Sequence, residues 1–290
     1  MRRREQSDPL EENKLRALDA YLPISLVAFN RKGTASNGSG TLVSIGSDVV
    51  VATAGHVVRD LIAKHWVELR LLSDPVGAST DPAGFDEWQG AIEERGCIAS
   101  PERPIYPDVG AVVLKPEQAR TLRERALPLS ALDDPARRDL LLEHQRLAGF
   151  PADISTADVI RSLHLSTVVV DSCGADHSTA RTAGITDELG LHVDWSKHRV
   201  DGSVEDNWSA EGVSGGPLWT VGRSVPDRVW DPRDRARFVG IAFFEDARGT
   251  GAGCVRAVPL TEWARLVASY AEHLQRPTWP GLLADAGLLP

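Results

Sequence analysis

Ser214 sits in the run Gly212-Val213-Ser214-Gly215-Gly216-Pro217, a setting in which an alcohol can act as a nucleophile. A serine hydroxyl ionises only far above neutral pH. It attacks a carbonyl only if a base takes its proton and donors hold the oxyanion that forms. The flanking glycines let the backbone turn tightly enough to aim the N–H groups of Gly212 and Ser214 into one small space. The same run also reads as a plain glycine-rich turn into the strand Leu218-Trp219-Thr220. A base lies upstream. Val49-Val50-Val51-Ala52-Thr53-Ala54-Gly55-His56 is an apolar strand running into a histidine, and residues 57–62 after it have the pattern of a short helical turn. Asp108 opens the apolar strand Asp108-Val109-Gly110-Ala111-Val112-Val113-Leu114. Taken singly, His56 reads equally well as a satisfied histidine at a strand end, and Asp108 as a turn cap after Pro107. Together with Ser214 they supply a base, a group to orient it and a nucleophile.

The chain order His56, Asp108, Ser214 and the residues around each resemble the three signatures of the trypsin/chymotrypsin-like serine protease family. Gly38-Ser39-Gly40-Thr41-Leu42-Val43 resembles the strand before the histidine strand, residues 238–244 the strand lining the substrate cleft, and residues 251–259 the last strand. Residues 261–267 look like the closing helix, so the likeness runs over about residues 22–275. The resemblance implies an all-β fold of two antiparallel six-stranded β-barrels (chymotrypsin-like), with the triad at their junction, a C-terminal helix and a short N-terminal helical extension. It implies a serine endopeptidase, a trypsin-like hydrolase that cleaves protein substrates through an acyl-enzyme on Ser214 without a cofactor. In that template His56 takes the Ser214 proton and returns it to the leaving amine. Asp108 holds the imidazole tautomer, and the N–H groups of Gly212 and Ser214 form the oxyanion hole.

The chain also departs from the family. Where secreted trypsins carry an aspartate before the serine, paired with a newly cut N-terminus, this sequence has Val213, which can make no ion pair. An intact N-terminus is therefore expected to be compatible with activity. By motif alignment the substrate pocket would be lined by Trp208, Glu211, Phe243, Phe244 and Glu245. A tryptophan near the pocket floor favours a shallow, apolar pocket over one for Lys or Arg. The double Phe243-Phe244 also leaves open a catalytically silent binding module on the same fold.

Composition narrows the rest. With 41 acidic against 32 basic residues and a net charge of −9, the chain lacks the basic stripe that nucleic acid requires. Its 3 cysteines, Cys97, Cys173 and Cys254, show no paired spacing, which fits a reducing compartment. No apolar run reaches transmembrane length, and the acidic residues behind Met1-Arg2-Arg3-Arg4 break a secretory pattern, so no membrane partner and a cytoplasmic location are expected. The spacing of Cys173, Asp176 and His177 matches no established zinc pattern, so no metal is expected. A cytoplasmic protease must be narrow or latent, which calls for a regulatory or substrate-delivering protein partner. By analogy with bacterial relatives, a role as a defence or signalling effector follows.

The expected organisation is an N-terminal helical extension at 1–20 and a protease domain at 21–275. Within that domain, barrel 1 covers about 21–115, a linker 116–143, barrel 2 about 144–260 and a C-terminal helix 261–275. Strands are expected at 24–29, 41–45, 49–52, 67–72 and 110–114 in barrel 1, and at 146–150, 163–170 and 189–195 in barrel 2. Residues 117–127 have helical composition. Residues 222–235, with Pro226 and Pro232, read as an exposed hairpin extension beside the cleft. The tail, 276–290, is apolar for a terminus and is expected to pack on the body.

Overall fold

A computed structural model describes residues 24–29, 35–63, 68–72, 92–101, 107–133, 144–149, 156–158, 162–164, 168–172, 191–194, 198–200, 212–221, 236–245 and 254–290. The extension at 1–20, Trp208, Glu211 and the hairpin at 222–235 lie outside the described residues.

Apolar, β-branched runs build the first sheet. Its strands are β1 (Ile24–Phe29), β2 (Ala35–Ile45), β3 (Asp48–Thr53), β4 (Glu68–Leu72), β5 (Ile92–Ala99) and β6 (Gly110–Leu114), followed by the short β7 (Leu127–Pro128). The order β4-β1-β2-β3-β6-β5 is antiparallel throughout, and β7 adds to β2 in parallel through Val43 and Leu127. Every residue of β6, and all of β3 after Asp48, is buried, which is why both read as unbroken apolar runs rather than alternating ones. These two strands end beside one another, with Thr53 paired to Gly110, so the residues flanking their ends, His56 and Asp108, emerge on the same side of the sheet.

The second sheet joins β8 (His144–Gly149), β11 (Val168–Ser172), β12 (Leu191–Asp194), β13 (His198–Val200), β14 (Pro217–Val221), β15 (Ala236–Glu245) and β16 (Cys254–Pro259) in the order β12-β16-β15-β14-β8-β11-β13. A small hairpin pairs β9 (Thr156–Asp158) with β10 (Ser162–His164). The strand expected over 163–170 is thus divided between β10 and β11. Among the described residues the sheets hold seven strands each, where the resemblance implied six-stranded barrels. In the first, the extra strand comes from the linker doubling back onto β2.

That linker opens with α2 (Pro116–Leu122), whose proline stands in the first turn, where its missing N–H costs nothing. The helix, expected to reach 127, stops at Leu122. A 3-10 turn, Arg123–Arg125, follows, and Pro128 keeps the residue before it extended. Asp133 then donates its N–H to the Phe238 carbonyl at 3.1 Å, so the linker bonds to both sheets.

Two helices close the chain: α3 (Leu260–Ser269) and α4 (Trp279–Asp285). The closing helix, expected over 261–275, ends at Ser269, and the tail folds into a helix of its own. Trp263, Val267, Trp279, Leu283 and Leu288 are buried in one core with Val43, Val112, Phe238 and Ile241 from the two sheets. Burial of each of these large side chains contributes about 2 kcal/mol. The tail is pinned at Asp48, whose Oδ2 accepts from Arg276 Nε at 2.9 Å and Trp279 Nε1 at 3.1 Å.

Candidate active site

His56 is the second residue of α1 (Gly55–Ala63), the helix that follows β3. Val57 and Val58 turn into the core, and Val58 rests where a side chain at Gly110 would be, 2.5 Å from an added Cβ. That packing leaves the His56 ring at the surface, with its side chain 43% exposed. Asp108, ahead of β6, is 15% exposed. Its Oδ2 lies 2.5 Å from His56 Nδ1, and its Oδ1 accepts the His56 backbone N–H at 2.9 Å. A carboxylate against Nδ1 places the ring proton there and leaves Nε2 as a proton acceptor.

Arg59, one helical turn after His56, reaches the same carboxylate. Its Nη2 donates to Asp108 Oδ1 at 2.7 Å and its Nη1 to the Ser100 carbonyl at 2.8 Å. Burial by itself pushes the Asp108 carboxyl up. The hydrogen bond and charge of His56, followed by those of Arg59, outweigh burial and hold the group below the ordinary carboxylate range.

Ser214 stands in a turn just before β14, and that turn is fixed by backbone. Gly212 and Gly215 have φ of 90° and 92°, a region that L side chains rarely adopt. The Gly215 N–H donates to the Ala242 carbonyl of β15 at 2.6 Å, and the Gly216 N–H to the Val213 carbonyl at 2.8 Å. From the other sheet, the Ser39 N–H donates to the Ser214 carbonyl at 2.8 Å and Ser39 Oγ to the Gly212 carbonyl at 2.8 Å. Thr53 Oγ1, at the end of β3, donates to the Ser39 carbonyl at 2.7 Å. A run of hydrogen bonds therefore links the Ser214 turn, through Ser39, to the strand that delivers His56. Among the described residues, no backbone acceptor takes the N–H of Gly212 or Ser214, and no hydrogen bond joins the Ser214 side chain to His56.

Val213 is buried at 1% exposure, its Cγ1 occupying the space beside Gly149. Of the expected pocket residues, Phe243 is the extra residue of a bulge between β15 and β16, and its ring is 7% exposed within the common core. Phe244 and Glu245 pair along β15 with Arg256 and Val255. Trp208 and Glu211 lie outside the described residues. The sequence reading passed over Arg59 and Ser39. A cation three residues after the histidine on a short helix is a signal for the first. Ser39 carried none, because its partners are backbone carbonyls. No cluster of metal-ligating residues occurs among the described residues, and no helix among them is long and apolar enough to cross a membrane.

No protein-family model and no curated protein sequence matches the chain. Solved structures do. The protease Anisep from Arthrobacter nicotinovorans matches with a TM-score of 0.50 at 15% identity, over 87% of this chain and 97% of its own. A thermostable serine protease, AL20, from an extremophilic microorganism matches at 0.48 and 17%, over 89% and 99%. The HtrA-type protease AlgW, solved with a tripeptide, matches at 0.48 and 14%, and this chain spans 64% of its length and aligns over 90% of its own. The Anisep match gives the chain the fold of the chymotrypsin/trypsin-like serine proteases.

Proposed function

We propose that the chain is a serine endopeptidase with Ser214 as nucleophile. The observation that carries the reading is the His56–Asp108 pair, with Nδ1 to Oδ2 at 2.5 Å, beside the end of β3, which Thr53 and Ser39 tie to the Ser214 turn. In the proposed reaction His56 Nε2 takes the Ser214 hydroxyl proton while Oγ attacks the scissile carbonyl carbon. The N–H groups of Gly212 and Ser214 receive the oxyanion. Collapse breaks the C–N bond, and His56 hands its proton to the departing amine. Water, deprotonated in turn by His56, releases the acyl group and restores Ser214.

The proposed enzyme needs no cofactor or metal. It occupies about residues 21–275, works in the cytoplasm of a bacterium and is directed by a protein partner, in keeping with a defence or signalling role. Its specificity would come from the segments around Trp208, Glu211, Phe244 and Glu245. A second reading, a binding module without turnover, is favoured by one observation: no hydrogen bond joins Ser214 to His56 among the described residues. Catalytic hydrogen bonds often tighten only when substrate is bound, so the enzyme reading stands ahead of it.

A fluorophosphonate probe with mass-spectrometric mapping tests the choice. The expected result is a single adduct on Ser214, absent from Ser214→Ala and from His56→Ala, both of which keep the wild-type melting curve. Equal labelling of Ser214→Ala would show another nucleophile. An unlabelled wild type, with candidate partners present, would favour the binding module. Cleavage profiling on a denatured proteome then gives the bond and the side-chain preference.

A further inference from the structure

We propose that Arg59 is a positioning residue of this site: its guanidinium clamps the Asp108 carboxylate to the Ser100 carbonyl and so holds His56 in the geometry of a general base. For its effect on rate the proposal rests on the serine protease reading. For its effect on the imidazole it rests on the His56–Asp108 geometry alone.

Geometry divides the carboxylate between two tasks. Oδ1 takes the His56 backbone N–H and Arg59 Nη2, while Oδ2 faces His56 Nδ1. With Oδ1 held on two sides, turning the carboxylate away from the ring breaks two hydrogen bonds. The second prong matters as much. Ser100 is joined to Val109 by its own N–H, at 2.8 Å to the Val109 carbonyl, and by Oγ, which accepts the Val109 N–H at 3.2 Å. Ser100, Val109 and Asp108 therefore move as one piece, and Arg59 staples α1 to it. A planar guanidinium can bridge the two acceptors at once, and an ammonium cannot do so with the same fixity. The clamp fills its space closely: a Cβ at Gly55 would stand 2.6 Å from Asp108 Oδ1, 2.8 Å from Arg59 Nη1 and 2.9 Å from Ser100 Oγ.

Arg59 also adds charge. Among the described residues, the charged groups on the Asp108 carboxylate are His56 and Arg59 of α1, where Asp60 follows Arg59. Glu262 and Arg265 of α3 pair with each other and line, with Ser100 and Pro107, a cavity of about 250 Å³. Among the described residues, Arg59 alone places a guanidinium directly on the carboxylate that faces the imidazole. It offsets part of the carboxylate's charge where that carboxylate faces the ring.

The test uses the full chain as wild type, Arg59→Gln and Arg59→Lys, with two readouts. One is the downfield Nδ1 proton of the carboxylate-bound imidazole, followed by NMR. The other is the rate of fluorophosphonate labelling across pH. Arg59→Gln is expected to broaden the proton signal, slow labelling about tenfold at its optimum and move the acid limb up by about half a pH unit or more. Arg59→Lys, which keeps the charge and loses the fork, is expected to restore the acid limb while labelling stays slow. An Arg59→Gln protein with wild-type proton signal and acid limb overturns the clamp, as does Arg59→Lys displaced as far as Arg59→Gln. Should Arg59→Gln fail to fold, Arg59→Lys decides: slow labelling at an unmoved acid limb supports the clamp, and wild-type labelling overturns it. If the wild type itself takes no label, the protease reading fails, and the proton signal in the same variants still judges the clamp.

Discussion

The two halves of the site are held by different physics. On the first sheet, His56 and Asp108 are fixed by side-chain charge and hydrogen bonds, with Arg59 and Ser100 behind them. The Ser214 turn at the second sheet is fixed by backbone bonds to Ser39 and Ala242 and by two glycines at positive φ. The first half should therefore answer to protonation and to loss of a charged partner. The second should answer to added volume. Substitutions chosen for one mechanism but placed in the other half test this division.

The largest effect is expected at Asp108. Asp108→Asn keeps the shape and removes the charge, so that the amide no longer fixes the Nδ1–H tautomer. Steady-state peptide hydrolysis should fall by about four orders of magnitude, while circular dichroism stays native. A loss of less than about tenfold would mean that His56 is oriented by something else. In such a protein the division between the halves would lose its electrostatic side.

Next is a matched pair of alanines. At Gly215 an added Cβ would lie 1.8 Å from the Ser39 carbonyl oxygen and 2.2 Å from Thr53 Oγ1, at a φ of 92°. Backbone there cannot yield without breaking the Ser39–Ser214 bond. Gly215→Ala should therefore cost about 3 kcal/mol or more in chemical denaturation. At Gly55 the obstructing atoms are the ends of Asp108, Arg59 and Ser100 side chains, which can swing aside. Gly55→Ala should cost only about 1 kcal/mol yet slow hydrolysis about a hundredfold, because the base moves off its line. Equal losses of stability at the two sites would erase the distinction.

This contrast also explains what the sequence made legible. β6 was read with its bounds, because a strand buried on every residue is an unbroken apolar run. The residues around His56, Asp108 and Ser214 stood out because tight turns and strand ends need particular residue types. β5 was passed over: Ile92–Ala99 carries Glu93, Glu94 and Arg95 in its first half, and only its neighbours in the sheet make it a strand. Arg59 was passed over within the short helical turn at 57–62: its spacing from His56 puts the two on one helix face, but its carboxylate partner lies far along the chain. The helix in the tail was equally hidden. Its apolar residues acquire a reason only when Trp279 and Leu283 meet the first sheet and Asp48 accepts from Arg276.

Val213 provides a third probe, lying in the steric half but tested with a charge. Its side chain is buried against Gly149. Val213→Asp would bury a carboxylate in that apolar space, at the position where the trypsin resemblance implies an aspartate paired with a cut N-terminus. A loss of about 3 kcal/mol in stability is expected, with hydrolysis falling in step. A stable, more active Val213→Asp would reveal a partner cation for that position and overturn the expectation of activity with an intact N-terminus.

The smallest effect separates the halves by pH alone. Asp108 titrates lower in the folded chain than the ordinary carboxylate range, because His56 and Arg59 outweigh its burial. Its contribution to stability is therefore complete above the unfolded carboxylate value, about 4, and is lost as pH falls through the folded value below it. Melting temperature followed from pH 7 downward should fall less steeply below about pH 4 in Asp108→Asn than in wild type. The Ser214 turn holds no ionisable group between Gly212 and Pro217, so a substitution there shifts the whole curve without changing that slope. If Gly215→Ala altered the acid slope as Asp108→Asn does, the two halves would be electrostatically coupled. The hydrogen-bonded run through Ser39 and Thr53 would then carry protonation as well as shape.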